Sequence, residues 1–185
     1  METKNLARTA AMAALMCLAG MVMRWATPAL VPFSLLPILV LITGLVLGAR
    51  YGALALIVYI FLGLLGLPVF ASAPFGGIGY IFKPSFGYLL GDILAAYVVG
   101  KIYNRRSLAS AVVAVLAGLI ALYAIGLSYL YLALRVFLHQ PTSVAIVFTT
   151  GFLPFIATDL IKAGIAAWVG NEVVKRQKHP SLKGD

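Results

Sequence analysis

The sequence predicts an all-α integral membrane protein, built as a bundle of six transmembrane helices. Of its 185 residues, 63% are hydrophobic and 10% are charged, and the mean hydropathy is +1.05. These values lie far outside the range of soluble globular domains. A bilayer-spanning helix takes about 20 predominantly apolar residues, so the chain has room for about six spans and for no separate soluble domain. We therefore expect a membrane domain over residues 1–175 and a cytoplasmic tail over residues 176–185.

Six apolar segments account for these spans in order. Lys4 and Arg8 precede the apolar core of the first segment, as in a cleaved signal peptide, but the charge pattern of the whole chain fits six retained spans. Several segments are short, which indicates tilted, broken or partly shielded helices, whereas the fifth, of about 27 residues, is long enough to tilt or to extend beyond the membrane. The segments cover residues 7–23, 33–48, 51–70, 85–100, 108–134 and 149–170.

The basic residues predict the orientation of these segments, because cytoplasmic loops carry an excess of Lys and Arg. If the amino terminus is cytoplasmic, ten basic residues lie inside and only Arg24, Lys83 and Arg135 lie outside. We therefore expect a multi-pass protein of the cell membrane with both termini in the cytoplasm. The ten residues placed inside are Lys4, Arg8, Arg50, Lys101, Arg105, Arg106, Lys175, Arg176, Lys178 and Lys183.

Several functional classes lack their signatures in this sequence. There is no phosphate-binding loop ending in Gly-Lys-Ser/Thr, so the chain does not hydrolyse ATP alone, and there is no Gly-x-Ser-x-Gly elbow for acyl transfer. His139 and His179 lie outside the apolar segments without acidic or thiol partners, and Cys17 is the single cysteine, so we expect no metal site. No basic patch interleaved with aromatic residues indicates nucleic-acid binding. We expect no catalytic residues, no enzymatic activity and no cofactor.

Two charged residues interrupt the last apolar segment, Asp159 and Lys162. Helical residues three apart share one face, and an isolated charge near the bilayer centre costs at least about 2.5–3.5 kcal/mol. In one interpretation the two residues pair and order the bundle. In the other they form the polar floor of a cavity, where the carboxylate accepts ligand N–H groups and the ammonium donates to a ligand oxygen. The two interpretations are compatible.

A second polar exception runs from Gly66 to Asp92 and combines helix-stopping prolines, permissive glycines and aromatic rings. Irregular backbone at membrane depth is tolerated only where protein buries it or where it lines a wet cavity. We expect this outward loop to form part of a ligand pocket; the alternative is an ordinary outer loop with interfacial aromatics. Lys83 attracts an anionic ligand or is an interfacial cation, and Asp92 is a second pocket carboxylate or a partner of Lys83. The candidate pocket residues here are Ser72, Phe75, Gly76, Gly77, Tyr80, Lys83, Tyr88 and Asp92.

The loop and the last segment carry motifs that resemble those of a known family. They are GLPVF at 66–70, KPSFGYLLG at 83–91 and LPFIATDLIKA at 153–163, with VPFSLL at 31–36 and the stretch 44–68 similar in character. These motifs resemble the BioY family, the biotin-binding S-components of energy-coupling-factor (ECF) transporters. The resemblance covers roughly residues 7–175, and the loop and the Asp-Leu-Ile-Lys motif are its specific parts.

The resemblance implies a six-helix membrane subunit that captures a vitamin from the outer side. It implies association with a transmembrane ECF coupling subunit and two ATPase subunits, and ligand-binding roles for Asp159, Lys162 and the loop from Ser72 through Gly79. Biotin offers two ureido N–H donors, a ureido carbonyl and a carboxylate on an apolar arm. A carboxylate, an ammonium and aromatic walls complement that set of groups.

Two departures from the family pattern leave the ligand open. The chain has Lys-Pro-Ser-Phe-Gly-Tyr at 83–88 where the family often has Gly-Pro-Thr-Gly-Gly-Tyr, which adds a cation and the phenyl ring of Phe86. Leu36 stands where the family often has a glutamine. Biotin is the favoured ligand, and the alternatives are another small carboxylate vitamin or cofactor precursor, a membrane enzyme that uses Asp92 and Asp159, and a structural membrane subunit.

Small residues recur every four positions in the first segment, at Ala7 and Ala11 and at Ala10 and Ala14. Such spacing lets helices approach closely in membranes, and it also arises by chance in an alanine-rich helix. It resembles the Ala-x-x-x-Ala surface through which S-components meet their coupling subunit. We therefore predict that these four alanines bind the partner.

Overall fold

A computed structural model describes residues 3–25, 35–104 and 107–178, with the backbone alone at Arg24, Trp25 and Lys178. The described residues form helices and no strand, so the predicted all-α fold is confirmed. The predictions made for residues 31–34, for the Arg24 side chain, and for Arg105, Arg106, Lys178, His179 and Lys183 lie outside what is described. The α-helices are α1 Thr3–Trp25, α2 Leu36–Leu47, α3 Ala49–Leu64, α4 Phe86–Ile102, α5 Leu108–Leu132, α6 Val144–Gly151 and α7 Leu153–Lys178.

The predicted last segment consists of two helices rather than one. The first, α6, begins at Val144, where the Ser143 hydroxyl oxygen accepts a hydrogen bond from the Ile146 N–H at 3.3 Å. Pro154 lies in the first turn of α7, where a missing N–H leaves no helical hydrogen bond unmade. The second helix, α7, continues to Lys178, so its end overlaps the predicted tail at residues 176–178.

Three of the described helical stretches are long and apolar enough to cross a membrane: Thr3–Met23, Leu108–Phe137 and Leu153–Gln177. The second stretch is α5 continued by a π-helical turn at Ala133–Phe137. The helices α2 and α3 are apolar but shorter. With a rise of 1.5 Å per residue, α2 is about 18 Å long against a hydrocarbon core of about 30 Å. The protein is a multi-pass membrane protein, and the count of six crossings stays a prediction.

Glycines set how the helices meet. Gly48 separates α2 from α3 with a φ of 78°, a left-handed conformation that a side chain would strain. At Gly91 on α4, a Cβ atom would lie 2.5 Å from the carbonyl oxygen of Leu122 on α5. The close approach of α4 and α5 therefore requires glycine at position 91. Helix α4 also packs against α2 and α3, and α7 packs against α2 and α5.

The chain between α3 and α4 is fastened to the helices rather than loose. The Tyr59 hydroxyl on α3 donates to the Val69 carbonyl at 3.1 Å, and the Tyr129 hydroxyl on α5 donates to the Ile81 carbonyl. The buried ring of Phe70 contacts Tyr59 edge-on, with 5.9 Å between ring centroids. A short 3₁₀ turn at Ile78–Phe82 follows, with Tyr80 buried in it. These contacts fix the loop across one end of the bundle.

Candidate functional site

A cavity of about 250 Å³ lies among α2, α3, α4, α5, α7 and the fastened loop. Its side chains fall into three sets. The apolar set is Leu36, Pro37, Ala71, Leu89, Leu122 and Phe155. The hydroxyl-bearing set is Tyr59, Ser72, Tyr80, Ser85, Tyr88 and Tyr123. The ionisable set is Asp92, Asp159 and Lys162.

Asp159 and Lys162 form a buried ion pair in the cavity wall. The Lys162 Nζ atom donates to the Asp159 Oδ1 atom at 2.9 Å, and each residue is only 6% exposed. The pair forms because α7 places residues three apart on the same face. Tyr123 on α5 donates its hydroxyl to the other oxygen, Asp159 Oδ2, at 2.6 Å. The carboxylate is therefore held by two helices, and the ammonium compensates its charge.

Asp92 on α4 is a second buried carboxyl group in the same cavity. The residue is 4% exposed, and its Oδ1 atom has no hydrogen-bond partner within the described parts of the chain. Gly91, the preceding residue, lies against the backbone of α5. The close helix contact therefore holds the backbone next to Asp92 against α5.

The hydroxyl groups of the cavity bind the loop and the helix ends. Ser72 and Tyr80 share a hydrogen bond at 2.8 Å, and Ser85 donates to the same Tyr80 oxygen at 3.3 Å. Tyr88 donates to the Gly151 carbonyl at the end of α6, at 2.8 Å. These bonds connect the loop to the start of α4, and α4 to α6.

Tyr123 lines two adjacent cavities of the protein. Its ring meets Tyr88 edge-on at 6.4 Å and Phe152 at 4.8 Å between ring centroids. It lines the polar cavity and also an apolar groove of about 680 Å³, to which Leu127 and Phe148 contribute. The ring therefore stands between the cavity and the groove.

Across residues 3–25, 35–104 and 107–178, no three His, Cys, Asp or Glu side chains are grouped in a way that holds a metal ion. The cavity instead offers two carboxyl groups, one ammonium and several hydroxyls among apolar side chains. Such a set suits a small organic molecule with both N–H donors and oxygen acceptors.

The family model described as the BioY family matches residues 1–179. The chain belongs to the BioY family. It is 41% identical over 149 residues to the "Probable biotin transporter BioY" of Lysinibacillus sphaericus, covering 79% of this chain and 75% of the relative. It is 37% identical over 146 residues to the "Biotin transporter BioY" of Thermotoga maritima, covering 78% and 82%. The family resemblance read from the motifs is thus confirmed.

A solved structure shares the fold of this BioY-family chain. It is a crystal structure at 2.1 Å of the S-component for biotin from an ECF-type ABC transporter, with a TM-score of 0.74 and 22% sequence identity. The match covers 95% of both chains. At this identity the likeness establishes a common helical architecture.

The structure brings six of the predicted site residues of this BioY-family chain to one cavity and leaves four outside its lining. Those in the lining are Ser72, Tyr80, Tyr88, Asp92, Asp159 and Lys162. Those outside it are Phe75, Gly76, Gly77 and Lys83. The suggested pairing of Lys83 with Asp92 is wrong, because Lys83 is exposed and no ion pair joins the two residues. Phe75, with a φ of 66°, and Gly77, with a φ of 92°, shape the loop backbone.

Three hydroxyl-bearing residues of the cavity were not predicted from the sequence: Tyr59, Ser85 and Tyr123. Tyr59 and Tyr123 are tyrosines inside apolar helices, where a buried phenol needs a hydrogen-bond partner. That requirement is a usable sequence signal for a polar site.

Proposed function

We propose that this BioY-family chain is the substrate-binding membrane subunit of a vitamin uptake transporter, and that it binds biotin from the extracellular side. The observation that carries the proposal is the buried Asp159–Lys162 ion pair in the wall of a 250 Å³ cavity. Relatives of the chain are named as biotin transporters. A buried ion pair that only ordered the helices would not need to line a cavity.

The chemistry of biotin fits the three sets of cavity residues. The carboxylate of Asp159 accepts a ureido N–H group, and the ammonium of Lys162 donates to a ligand oxygen. Apolar side chains such as Leu89 and Phe155 contact the hydrocarbon arm. The ligand enters a site whose charges are already placed, so little reorganisation opposes binding.

Transport needs an energy source that this chain does not carry in its sequence, so the proposal includes partners. A transmembrane ECF coupling subunit and two ATPase subunits supply the ATP hydrolysis, and the chain itself is not an enzyme. Ala7, Ala10, Ala11 and Ala14 are all exposed on α1, which suits close contact with another helix. Both termini lie in the cytoplasm, and the loop faces out.

Biotin binding to the purified protein tests the proposal. Asp159→Asn keeps the shape of the side chain but removes its charge, so biotin affinity should fall at least about tenfold. The double variant Asp159→Asn/Lys162→Met removes both charges together, so it should fold, as judged by thermal melting in detergent, and fail to bind. A folded double variant with wild-type biotin affinity contradicts the proposal.

The same helix supplies a matched control. Glu172 and Arg176 form an ion pair at 3.4 Å on α7, but the Arg176 side chain is exposed, the Glu172 side chain is 43% exposed, and neither residue lines the cavity. The variant Glu172→Gln/Arg176→Met should therefore bind biotin as the wild type does. A loss of affinity there would show that charge removal from α7 acts nonspecifically.

Another small carboxylate ligand is the second candidate, and Leu36 is the observation that favours it. Leu36 lines the cavity at the position where the family often carries glutamine, so one polar contact is replaced by an apolar one. Mass spectrometry of small molecules that copurify with the protein distinguishes the two candidates, because it identifies the bound species directly.

A further inference from the structure

Asp92 has a buried carboxyl oxygen, Oδ1, without a hydrogen-bond donor among the described residues. The residue is 4% exposed and lines the cavity with Asp159, yet its Oδ1 atom has no hydrogen-bond partner among the residues that the structure describes. Buried polar atoms are rarely left unpaired, because the group loses its hydration and gains nothing in return. An unpaired acceptor on a cavity wall therefore points to a donor supplied by the occupant.

Three of the four tyrosine hydroxyls in the cavity donate their hydrogen bond to an acceptor other than Asp92. Tyr59 donates to the Val69 carbonyl, Tyr88 donates to the Gly151 carbonyl, and Tyr123 donates to Asp159. Each phenol carries a single O–H group, so none of these three has a proton left to offer Asp92. Both oxygens of Asp159, in contrast, already accept a hydrogen bond from the protein.

We propose that Asp92 is a specificity-determining residue that accepts a second N–H group of the ligand, while Asp159 accepts the first. This inference rests on the proposed function and refines it. A cyclic urea such as that of biotin carries one N–H on each side of its carbonyl, so it has one donor for each carboxyl group. A site whose buried polar groups require a donor rejects an analogue that lacks it far more strongly than an apolar pocket rejects a missing methylene.

The first test uses the wild-type protein and a set of ligands. Biotin is compared with its two mono-N-methyl derivatives, each of which lacks one ureido N–H, and with desthiobiotin, which keeps both. Each N-methyl derivative should bind at least about tenfold more weakly than biotin, and desthiobiotin should lose less. A mono-N-methyl derivative that binds as tightly as biotin overturns the proposal, because one N–H would then have no acceptor.

The second test replaces the acceptor. Asp92→Leu should bind biotin about tenfold more weakly and should melt at the same temperature or higher, because it removes an unpaired buried group. For this variant, one of the two N-methyl derivatives should bind no more weakly than biotin. Asp92→Asn keeps a carbonyl acceptor and should lose less affinity than Asp92→Leu. Leu94→Ala on the same helix, at an exposed position, is the control and should match the wild type.

The outcomes separate this inference from the proposed function. If the wild-type protein does not bind biotin, the proposed function fails and the role of Asp92 fails with it. If the wild type binds biotin and Asp92→Leu binds it equally well, only the role of Asp92 fails. A purely structural role predicts the opposite signature to ours: Asp92→Leu melts at a lower temperature and still prefers biotin to both N-methyl derivatives. If Asp92→Leu does not fold, the wild-type ligand set decides.

Discussion

The hydroxyl of Tyr123 acts on a single atom, the Oδ2 of Asp159. At 2.6 Å this is a short bond from an O–H donor to a charged acceptor, a class about twice as strong as bonds between neutral groups. Lys162 holds the other oxygen from the same helix as Asp159. The orientation of the carboxylate therefore depends on one residue outside α7.

Replacing this tyrosine tests that dependence. Tyr123→Phe keeps the ring contacts with Tyr88 and Phe152 but removes the donor, so it should lower the free energy of unfolding by about 1.5–3 kcal/mol. Biotin affinity should also fall, by about tenfold, because Asp159 Oδ2 loses its fixed direction. Thermal melting and equilibrium binding measure the two effects.

Tyr131→Phe is the matched control for this variant, because the Tyr131 hydroxyl, also on α5, accepts from Arg135 at an exposed position. It should leave both quantities unchanged. Equal effects of the two substitutions would contradict a specific role for Tyr123.

The spacing of Asp159 and Lys162 predicted from sequence that both residues share one helix face, and their pairing was one of the two interpretations of that arrangement. Helical spacing does not predict that Tyr123 also contacts Asp159. Tyr123 is 36 residues away and meets Asp159 only because α5 packs against α7. The cavity position of Asp92 likewise depends on a helix contact that a single sequence does not specify.

At the scale of helices, the approach of α4 to α5 determines where the two walls of the site lie. Gly87 and Gly91 are four residues apart on α4, a spacing that lets membrane helices meet backbone to backbone. A Cβ at Gly87 would meet the Tyr129 side chain, and one at Gly91 would meet the Leu122 backbone. Asp92 and Tyr123 follow Gly91 and Leu122 directly in sequence, so this contact sets the width of the cavity.

Gly91→Ala should force α4 and α5 apart, because the added Cβ atom would lie 2.5 Å from the Leu122 carbonyl oxygen and clash with it. Overpacking of this kind lowers stability by about 1–3 kcal/mol, and biotin affinity should fall with it as Asp92 and Tyr123 separate. Gly164→Ala on α7 adds the same methyl group where no atom lies within 4 Å, so it should be neutral or slightly stabilising. An unaffected Gly91→Ala protein in melting and binding assays would disprove the spacing argument.

Hydropathy predicted most helices within a few residues, because burial in lipid requires continuous apolar stretches. The prediction failed where local chemistry interrupts such a stretch. Segment 51–70 ends as a helix at Leu64, and segment 149–170 is divided between α6 and α7. Pro154 lies at the division between α6 and α7, but hydropathy averaged over a window of residues does not reveal a single proline.

At the scale of the whole molecule, the orientation in the membrane is a prediction from the distribution of basic residues. On a Cys17→Ala background, Lys83→Cys should react with a membrane-impermeant thiol reagent in intact cells, because the loop is predicted to face out. Lys101→Cys, at the exposed end of α4, should react only after permeabilisation. The reverse pattern would invert the proposed topology.

The exposed alanines of α1 are the surface that we propose for the coupling subunit. Ala10→Leu/Ala14→Leu should weaken copurification with the coupling subunit by at least about tenfold in affinity, while biotin binding is retained, because bulk prevents close helix contact. Ala109→Leu, exposed on α5, is the control for added bulk and should leave the complex intact. If the α1 variant forms the complex as the wild type does, the proposed docking role of these alanines is contradicted.

We expect the ring of Tyr123 to separate a bound ligand from the hydrocarbon around the protein, because Tyr123 lines both the cavity and the outer groove. Tyr123 lines both the 250 Å³ cavity and the 680 Å³ groove. The variant Tyr123→Ala removes the ring. We expect this to open a side passage through which an acyl or detergent chain reaches the apolar part of the cavity. Such a chain competes with the hydrocarbon arm of the ligand, so affinity in that variant should depend on the detergent, whereas affinity in Tyr123→Phe should not.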